Sequence, residues 1–345
     1  MQVDNWGVKL LYFNTLEVNG LSTKEQLLEL FENNKGIYLS GEEIAEKLSV
    51  SRTAVWKAVK GLRNEGYNID AITNKGYNLS VKTDILSVQG IKKYLDLTCS
   101  DLSIEVLPSL NSTNKRAREK AILGAPEGYV VIANAQTNGR GRNGREFFSP
   151  ADTGIYMSIV LRPPRCSPQQ ATKLTTMAAV AVCEAIEMVS NEKAQIKWVN
   201  DVYVKEKKVC GILTEASLGL EDNFLEYAII GIGVNVSSPI KGFPKELQSI
   251  ADAVFEEAQN DGKNRIAAEI LNRFMSYYTV LPKINYIEQY RNRSFVIGKE
   301  IVVLSPDDPQ KAVALDIDDD FHLIVKYEDN KTETLSSGEI SVRLQ

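Results

Sequence analysis

Residues 139–145 read GRGRNGR, and they follow the run EGYVVIANAQTN (127–138), whose composition is typical of a β-strand. The three glycines match the pattern G-x-G-x-x-G of dinucleotide-binding loops. That fold requires a helix directly after the glycines, because the helix N-terminus binds the pyrophosphate. Here EFFSP (146–150) and the strand-like GIYMSIVL (154–161) follow instead. The Rossmann fold is therefore excluded, and so is the Walker A loop, which requires Lys-Ser/Thr where Arg145-Glu146 stand.

The composition of this loop nevertheless indicates a binding function. Its three arginines can bind phosphate or carboxylate through paired, charge-assisted hydrogen bonds, and its glycines let backbone N–H groups approach a ligand closely. Phe147 and Phe148 follow directly and are suited to cover a planar group. These features predict a loop that folds over an anionic, adenylate-like ligand. The alternative is a basic loop that contacts RNA or only solvent.

Three further segments of the central region carry polar residues beside apolar runs. IKWVNDVYV (196–204) has the pattern of a strand, an Asn-Asp turn and a second strand. Lys208 begins the apolar run KVCGILTE, so its ammonium is placed to point into a site, although a lysine at a strand end more often lies on the surface. YAIIGIGVNVS (227–237) predicts a buried strand in which Gly231 and Gly233 allow another group to approach the backbone.

The composition limits the chemistry of the whole chain. Its 345 residues predict two or three domains, and 43% hydrophobic and 25% charged residues are typical of a soluble protein. The net charge of −5 argues against a chain that binds polyanions over its whole surface. His322 is the single histidine, which excludes HExxH zinc sites and multi-histidine metal cages, and any Ser-His-Asp triad would have to use it. Lysine, arginine, carboxylates and backbone groups must therefore carry the chemistry.

Cysteine spacing and hydropathy predict a cytoplasmic protein. The four cysteines form no CxxC pair, which is typical of reduced thiols, and no apolar run reaches the roughly 18 residues of a membrane span. The first 20 residues lack the basic and apolar regions of a signal peptide. We interpret residues 1–20 as an extension outside the folded core.

The region after this extension has the pattern of a winged helix-turn-helix. Ser22 and Ser40 each precede a glutamate by three positions, the spacing of a capping box, and Ser51 is placed to cap a third helix. YNIDAITNKGYNLS (67–80) contains two alternating runs around Asn-Lys-Gly, which predicts a hairpin. The apolar face of the third helix is predicted to be Val55, Val59 and Leu62.

The third helix also has a basic face. Residues 51–80 hold five Lys/Arg against two acidic residues, in a chain of net charge −5. Such a face is typical of a recognition helix in a DNA major groove, with flanking contacts to phosphates. For a helix alone a solvated surface would be the better interpretation, but the preceding helices and the hairpin favour DNA binding. The predicted DNA-contacting residues are Ser51, Arg52, Thr53, Trp56, Lys57 and Lys60.

Two more patterns complete the chain. A helix over about 168–189 carries apolar residues at helical spacing and is predicted to belong to the core. After Pro282, four short strand-like runs follow (FVIGKEIVVL, KAVALDID, FHLIVKYE and ISVRL), with turn residues between them, which predicts a small β domain. His322 falls within the third run, and we assign it no catalytic function.

These motifs together resemble the biotin–protein ligase family, in the bifunctional bacterial form that also represses the biotin operon. The resemblance covers about residues 22–345. Its most specific part is Q-x-x-G-R-G-R-x-G-R, here Gln136 through Arg145. The other matching motifs are Ser112-Thr113-Asn114, Lys197-Trp198-x-Asn200-Asp201, Lys208-x-x-Gly211-Ile212-Leu213, Gly231-x-Gly233-x-Asn235, and SRTAVWK with KGY in the winged helix.

The resemblance implies an α+β multidomain fold. Its parts would be a winged helix-turn-helix domain at 21–82 after the extension, a central mixed α/β ligase domain of the biotin/lipoate ligase type at 83–290, and a small SH3-like β-barrel at 291–345. It also implies homodimerisation on a two-fold operator, since each winged helix would bind one half-site.

The implied activity has two steps. The biotin carboxylate attacks the α-phosphate of ATP, with Mg2+, and a lysine of a biotin carboxyl carrier protein then takes the biotinyl group from biotinyl-5′-AMP. By resemblance, biotin binding falls to Ser112, Thr113, Asn114, Gln136, Arg140, Gly141, Arg142, Lys208 and Gly211. Nucleotide binding falls to Arg142, Phe147, Phe148, Asn200, Lys208 and Asn235. Lys208 and Arg142 are the implied catalytic residues, and Asp201 is the implied Mg2+ ligand.

Two positions depart from the family pattern, and two alternatives stay open. Phe147 stands where a tryptophan against adenine is common, and Asn143 stands where many members have another arginine, so the loop has less aromatic surface and less charge. One alternative is a lipoate–protein ligase, which shares the ligase-domain architecture. The other is a repressor that only senses biotin without ligase turnover.

Overall fold

The computed structural model describes residues 20–219, 224–257, 259–280, 286–304, 309–336 and 341–344. Residues 1–19, nearly all of the predicted extension, lie outside the described residues. The chain divides into two compact units, the first ending at Lys93 and the second beginning at Tyr94. The predicted domain boundaries at 82/83 and 290/291 stay predictions. None of the described helices has both the length and the apolar character needed to cross a membrane.

The first unit has the predicted order of helices and hairpin. Its elements are α1 (Thr23–Asn33), α2 (Gly41–Lys47), α3 (Arg52–Asn64), β1 (Ile69–Ile72), β2 (Gly76–Leu79) and α4 (Val88–Lys92). Strands β1 and β2 pair antiparallel as a hairpin. The predicted apolar face of α3 is buried in one core with Leu27, Phe31 and Ile44 of α1 and α2. The winged helix-turn-helix prediction is thus confirmed.

The helix caps differ in one detail from the prediction. The Ser22 hydroxyl accepts from the backbone N–H of Glu25, whose carboxylate accepts from the Ser22 N–H at 2.8 Å, so the first capping box is complete. At Ser40 only the first half forms, because the Glu43 carboxylate accepts from Lys47 at 2.9 Å, four residues further along α2. The second predicted capping box was therefore wrong in one respect, because the Glu43 carboxylate does not bond back to the Ser40 N–H.

The second unit is built on a seven-stranded mixed sheet of order β3-β4-β5-β9-β8-β7-β6. The strands are β3 (Ser103–Leu107), β4 (Tyr129–Ala133), β5 (Gly154–Leu161), β6 (Ala194–Lys197), β7 (Asp201–Val204), β8 (Lys207–Leu218) and β9 (Leu225–Asn235). Only β3 and β4 run parallel, and the other neighbours are antiparallel. The helices are α5 (Thr113–Ile122), α6 (Ala171–Ser190) and α7 (Gly262–Tyr278).

Strand β5 lies inside this sheet between β4 and β9, and all eight of its residues are buried. Alternate residues of a strand point to the same face. Val160 packs with Val131 and Ile229 of the neighbouring strands against Ala117 and Ala121 of α5. This packing places the first turn of α5 above the middle of β5, where the functional site begins.

Helix α6 confirms the core prediction for about 168–189. A 3-10 turn at Pro168–Gln170 precedes it, and Asn191 in the left-handed conformation (φ 58°) ends it. The predicted core residues are all buried: Leu174, Met177, Ala178, Ala181, Val182, Ala185 and Ile186.

The C-terminal part adds α8 (Ile287–Arg293) and an antiparallel sheet of order β13-β12-β11-β10-β14. Its strands are β10 (Glu300–Leu304), β11 (Gln310–Ile317), β12 (Leu323–Tyr327), β13 (Thr332–Leu335) and β14 (Ser341–Leu344). The sequence predicted four of these strands and missed β13, because TETL is mostly polar and exposed. Within the described residues the sheet is open, and no pairing there closes it into a barrel.

Candidate active site and DNA-binding surface

One pocket in the second unit collects every residue that the sequence placed in the ligase site. The loop 139–147, the start of α5 and the ends of β7, β8 and β9 all contribute to its wall. The predicted residues that line it are Ser112, Thr113, Asn114, Gln136, Arg140, Gly141, Arg142, Phe147, Phe148, Asn200, Asp201, Lys208, Gly211 and Asn235. The structure therefore brings these residues together, while the roles assigned to them stay predictions.

One end of the pocket is lined by neutral polar groups at the start of α5. The Oε1 atom of Gln136 accepts from the backbone N–H of Thr113 at 2.8 Å and from its hydroxyl at 3.1 Å. Gln136 in turn donates from Nε2 to the Ser149 hydroxyl at 3.0 Å. Ser112, which precedes the helix, makes no side-chain cap. The Thr113 N–H at the start of α5 has no partner within the helix, and Gln136 accepts its hydrogen bond. This bond connects α5 to the segment before the loop.

Asn114 lies directly above strand β9. Its Nδ2 donates to Oε2 of Glu215 at 2.8 Å, and a Cβ added at Gly231 would collide with its Oδ1. Glu215 also forms an ion pair with Arg118 one turn further along α5. The predicted close approach at Gly231 is thus confirmed, and the approaching group is an asparagine of the site itself.

The loop 139–147 is a tight hairpin and not a helix entry, as the sequence predicted. The N–H of Gly141 donates to the carbonyl of Arg145 at 2.7 Å, and the N–H of Phe147 donates to the carbonyl of Gly139 at 2.9 Å. A single 3-10 turn spans Arg142–Gly144, and an extended chain follows it. Gly139 and Gly141 therefore take part in the hydrogen bonds that close the loop, in addition to any contact with a ligand.

Arg142 is held by the turn between β6 and β7. Its Nη1 donates to Oδ1 of Asn200 at 3.2 Å, and Asn200 donates from Nδ2 to the Ile212 carbonyl at 2.8 Å. Burial lowers the pKa of the Arg142 guanidinium, and the nearby Asp201 carboxylate opposes that shift. Asn200 thus contacts the arginine directly, which fixes where this positive charge lies in the pocket.

Lys208 and Asp201 form an ion pair in the pocket, with 2.8 Å between Nζ and Oδ1. They lie on the adjacent strands β8 and β7, and about a quarter to a third of each side chain is exposed. A Cβ at Gly211 would lie 3.3 Å from Nζ of Lys208, so the lysine passes closely over that backbone. The ammonium therefore points into the pocket and not to the outer surface, and the surface interpretation of Lys208 was wrong.

The two phenylalanines after the loop have different surroundings. The ring of Phe147 lies over Gly233, where an added Cβ would be 2.5 Å from its Cε1 atom, and meets Tyr156 edge-on with 6.3 Å between ring centroids. Phe148 packs beside Phe243, with 6.3 Å between centroids. Gly233 thus shows the predicted close backbone approach, made here by Phe147.

Several functional residues were not found from the sequence. Phe243, Leu247, Ile250 and Ala251 line the pocket from the segment after β9. Ile250 is 52% exposed, and a glycine and a proline flank Phe243. Apolar side chains in such a loop-like segment are a sequence signal that could have indicated a binding surface there. Ser158 and Glu215, which hold the start of α5, gave no motif at all.

Two carboxylates line the pocket, Asp201 and Glu146. The described residues contain no cluster of three or more His, Cys, Asp or Glu side chains that could hold a metal ion by themselves. Asp201 is the predicted ligand and pairs with Lys208. His322 lies in the C-terminal sheet region, with Nδ1 3.1 Å from Oδ2 of Asp318, far along the chain from every pocket residue.

The predicted DNA-contacting face of α3 is exposed. Ser51, Arg52, Thr53, Trp56, Lys57 and Lys60 are all exposed, and Trp56 retains 53% of its accessible surface. The Lys60 ammonium lies 5.4 Å from the centroid of the Trp56 ring. Arg63 near the end of α3 is exposed as well, and it donates to the Ile69 carbonyl at the start of the hairpin at 2.6 Å.

A cleft also opens beside this face in the first unit. Arg52, Thr53 and Trp56 of α3, the start of α2 and the hairpin residues 71–77 line it. A helix and a hairpin that border one cleft are the two elements by which winged helices contact DNA.

Comparisons with known proteins agree with both surfaces. Three family models match: an HTH domain over residues 23–78, the biotin/lipoate A/B protein ligase family over 106–235, and the biotin protein ligase C terminal domain over 296–343.

Among curated proteins, the bifunctional ligase/repressor BirA of Bacillus subtilis is 40% identical over 235 residues, which cover 68% of this chain and 71% of that protein. BirA of Escherichia coli is 27% identical over 322 residues, 92% of this chain and 96% of that protein. Among solved structures, a biotin protein ligase from Aquifex aeolicus in complex with biotin and ATP matches with a TM-score of 0.60 and 25% identity, over 70% of this chain and 99% of that one.

Proposed function

The chain belongs to the family of bifunctional biotin ligase/repressors, and we propose that its pocket activates biotin with ATP and passes it to a carrier-protein lysine. The chain is a biotin–protein ligase with a DNA-binding winged helix. The observation that carries the proposal is the convergence of one neutral polar end and one cationic end in a single pocket.

The two ends match the two reacting molecules. The amide and hydroxyl groups of Thr113, Asn114 and Gln136 suit the ureido ring of biotin, which both donates and accepts hydrogen bonds. Arg142 and Lys208 suit the carboxylate and the α-phosphate. A biotin bound between them would present its carboxylate to ATP at the cationic end.

In the proposed reaction the biotin carboxylate oxygen forms a bond to the α-phosphorus of ATP while the bond to the bridging oxygen of pyrophosphate breaks. Negative charge builds on the α-phosphoryl oxygens, where Lys208 and Arg142 stabilise it. A carrier lysine amine then attacks the carbonyl of the mixed anhydride, which forms an amide and releases AMP and a proton. Positioning and charge neutralisation suffice, so the reaction needs no histidine.

The donor set also fits Mg2+ that enters with the nucleotide. Mg2+ in nucleotide sites is held by one or two carboxylates together with substrate phosphates and water. Asp201 supplies one carboxylate beside the cationic end of the pocket. When bound, Mg2+ would neutralise phosphate charge. Asp201 would hold the metal, and Lys208 would contact the α-phosphate.

For the second function we propose that α3 binds operator DNA and that the protein represses as a homodimer. The exposed face of Arg52, Thr53, Trp56, Lys57 and Lys60 supplies hydrogen-bond donors and positive charge for a major groove. A dimer follows from the two-fold symmetry of operators, since each winged helix would bind one half-site.

The test is a reaction of the full-length protein with biotin, ATP, Mg2+ and the biotin carboxyl carrier domain of a carboxylase. We expect pyrophosphate release that depends on biotin, and biotin attached to the carrier. A parallel reaction with lipoate tests the alternative ligase, and lipoate turnover without biotin turnover would overturn the proposal. Operator binding measured with and without biotin and ATP tests the repressor function. Gel filtration under the same conditions tests whether the protein forms a dimer. Biotin binding without pyrophosphate release would support the alternative in which the protein is a repressor that only senses biotin.

A further inference from the structure

Ser158 is a buried hydroxyl in the middle of β5, directly behind the polar end of the pocket. Its side chain is 0% exposed and is not part of the pocket lining. Its Oγ lies 2.8 Å from Oγ1 of Thr113 and 2.7 Å from Oδ1 of Asn114. We propose that Ser158 is the positioning residue for biotin, setting the hydrogen-bond directions of Thr113 and Asn114; this inference rests on the proposed function.

The two amides that flank this pair of hydroxyls can each point only one way. Asn114 donates from Nδ2 to Oε2 of Glu215 at 2.8 Å, so its Oδ1 faces Ser158. The Oε1 of Gln136 accepts from the Thr113 N–H at 2.8 Å, so the oxygen of this amide faces Thr113. Amide oxygens only accept hydrogen bonds. The two hydroxyls of Ser158 and Thr113 therefore lie between two acceptors, Oδ1 of Asn114 and Oε1 of Gln136.

The hydrogen-bonded series Asn114–Ser158–Thr113–Gln136 lacks one hydrogen. The hydroxyls of Ser158 and Thr113 supply two hydrogens, but the three oxygen–oxygen contacts of 2.7, 2.8 and 3.1 Å need three. Without a further donor, one of the three contacts has no hydrogen between its oxygens. A donor from outside the protein would remove this deficit.

The ureido ring of biotin carries such donors. An N–H that reaches Asn114 Oδ1 from the pocket would satisfy that oxygen, since Asn114 lines the pocket while Ser158 does not. The Ser158 hydroxyl could then turn to Thr113, and the Thr113 hydroxyl to Gln136, so that all contacts have a hydrogen. Ser158 thus couples ligand binding to the orientation of two pocket side chains without touching the ligand.

The competing explanation is that Ser158 only anchors α5 to the sheet. An anchor would change stability and affect every ligand alike. A positioning residue for biotin would change biotin affinity selectively, and would leave ATP and operator affinity near their wild-type values. The two explanations therefore differ in the ratio of the biotin effect to the ATP effect.

The experiment is calorimetric titration of biotin into the full-length protein and two variants, Ser158→Ala and Ser158→Cys. For Ser158→Ala we expect the Kd for biotin to rise by about tenfold or more, because Thr113 and Asn114 lose their shared partner. Ser158→Cys keeps a weak donor of similar size, so its Kd should lie between the two. The KM for ATP at saturating biotin should stay within about twofold of wild type.

Thr176→Val is the matched control. Thr176 is also a fully buried hydroxyl, and it bonds to the Tyr286 hydroxyl and to carbonyls of its own helix α6. Its replacement should lower thermal stability to a similar extent and leave the Kd for biotin unchanged. Equal losses of biotin affinity in Thr176→Val and Ser158→Ala would assign both effects to stability and overturn the inference.

The outcomes also separate this inference from the proposed function. If wild type neither binds biotin nor releases pyrophosphate, the proposed function fails. If wild type does both, but folded Ser158→Ala and Ser158→Cys bind biotin within about twofold of wild type, only the role of Ser158 fails. If Ser158→Ala does not fold, the comparison of Ser158→Cys with Thr176→Val decides the question.

Discussion

The Nζ atom of Lys208 lies 2.8 Å from Oδ1 of Asp201, across two antiparallel strands that meet at the wall of the pocket. Both residues are partly exposed, so this pair contributes little to stability. Its consequence is positional, since the carboxylate holds a flexible ammonium inside the pocket. Because Lys208 and Asp201 are also the proposed phosphate and metal partners, we expect substrate binding to rearrange this pair.

Lys208→Ala should reduce adenylate formation by about a hundredfold or more, because the charge that builds on the α-phosphate loses a preorganised cation. Biotin-dependent pyrophosphate release measures this step. The matched control is Lys205→Ala, which removes an exposed lysine in the adjacent turn that pairs with Glu192. Wild-type rates of pyrophosphate release in Lys208→Ala would remove it from the mechanism, and unchanged operator affinity would show that the variant is folded.

Arg142→Gly should release biotinyl-5′-AMP about ten- to a hundredfold faster, since a charge-assisted contact and an anchor of the loop are both lost. The anchor is the bond from Nη1 to Oδ1 of Asn200 at 3.2 Å. Asn200→Ala keeps the guanidinium but frees it, so a smaller change in the same direction is expected. Dissociation of pre-formed adenylate is followed in a chase with unlabelled biotin. Equal release rates in Arg142→Gly and wild type would contradict this role.

Gly233→Ala should displace the ring of Phe147, because the new Cβ would lie 2.5 Å from its Cε1 atom. We expect the KM for ATP to rise by about tenfold, through loss of aromatic contact and loop geometry. The double variant Gly233→Ala/Phe147→Ala tests the mechanism. If the collision is the cause, the two effects will not add, whereas full additivity would show that Gly233 acts elsewhere.

Lys57→Ala should weaken operator binding and reduce the slope of log K against log salt by about one, as expected for one phosphate contact. Lys331→Ala removes an exposed charge from the C-terminal sheet region and serves as control. Trp56→Ala should instead alter preference among operator sequences, if the exposed indole faces bases. Equal salt slopes for Lys57→Ala and wild type would place this lysine away from the DNA backbone.

Stability should fall above pH 10. Burial raises the pKa of Tyr156, Tyr203 and Tyr277 to about 12, whereas an unfolded tyrosine titrates near 10. Below pH 10 both states keep these protons. Between pH 10 and 12 only the unfolded chain loses them, so it binds fewer protons and unfolding becomes easier. Urea unfolding at a series of pH values measures the loss, and Tyr156→Phe should flatten it. A stability that stays constant to pH 12 would contradict these shifts.

The sequence by itself predicted most of the elements and many of the residues that line the pocket. Capping serines and helical spacing act within a few residues, so α1, α3 and α6 could be predicted from local pattern. The failure at Glu43 had a local cause as well, in the competing Lys47 one turn later. The segments EFFSP and GIYMSIVL after the loop exclude the dinucleotide fold from sequence alone, because that fold requires a helix there.

Only the tertiary structure decided which groups face each other. Ser158 meets Asn114 across 44 residues, and Arg142 meets Asn200 across 58 residues, separations over which no spacing rule applies. The wall formed by Phe243 likewise depends on how distant segments pack. The chain's own pattern specifies the direction of a side chain relative to its strand or helix. What lies opposite that side chain is set by the packing of the whole sheet, and that packing is what turns the predicted residues into one pocket.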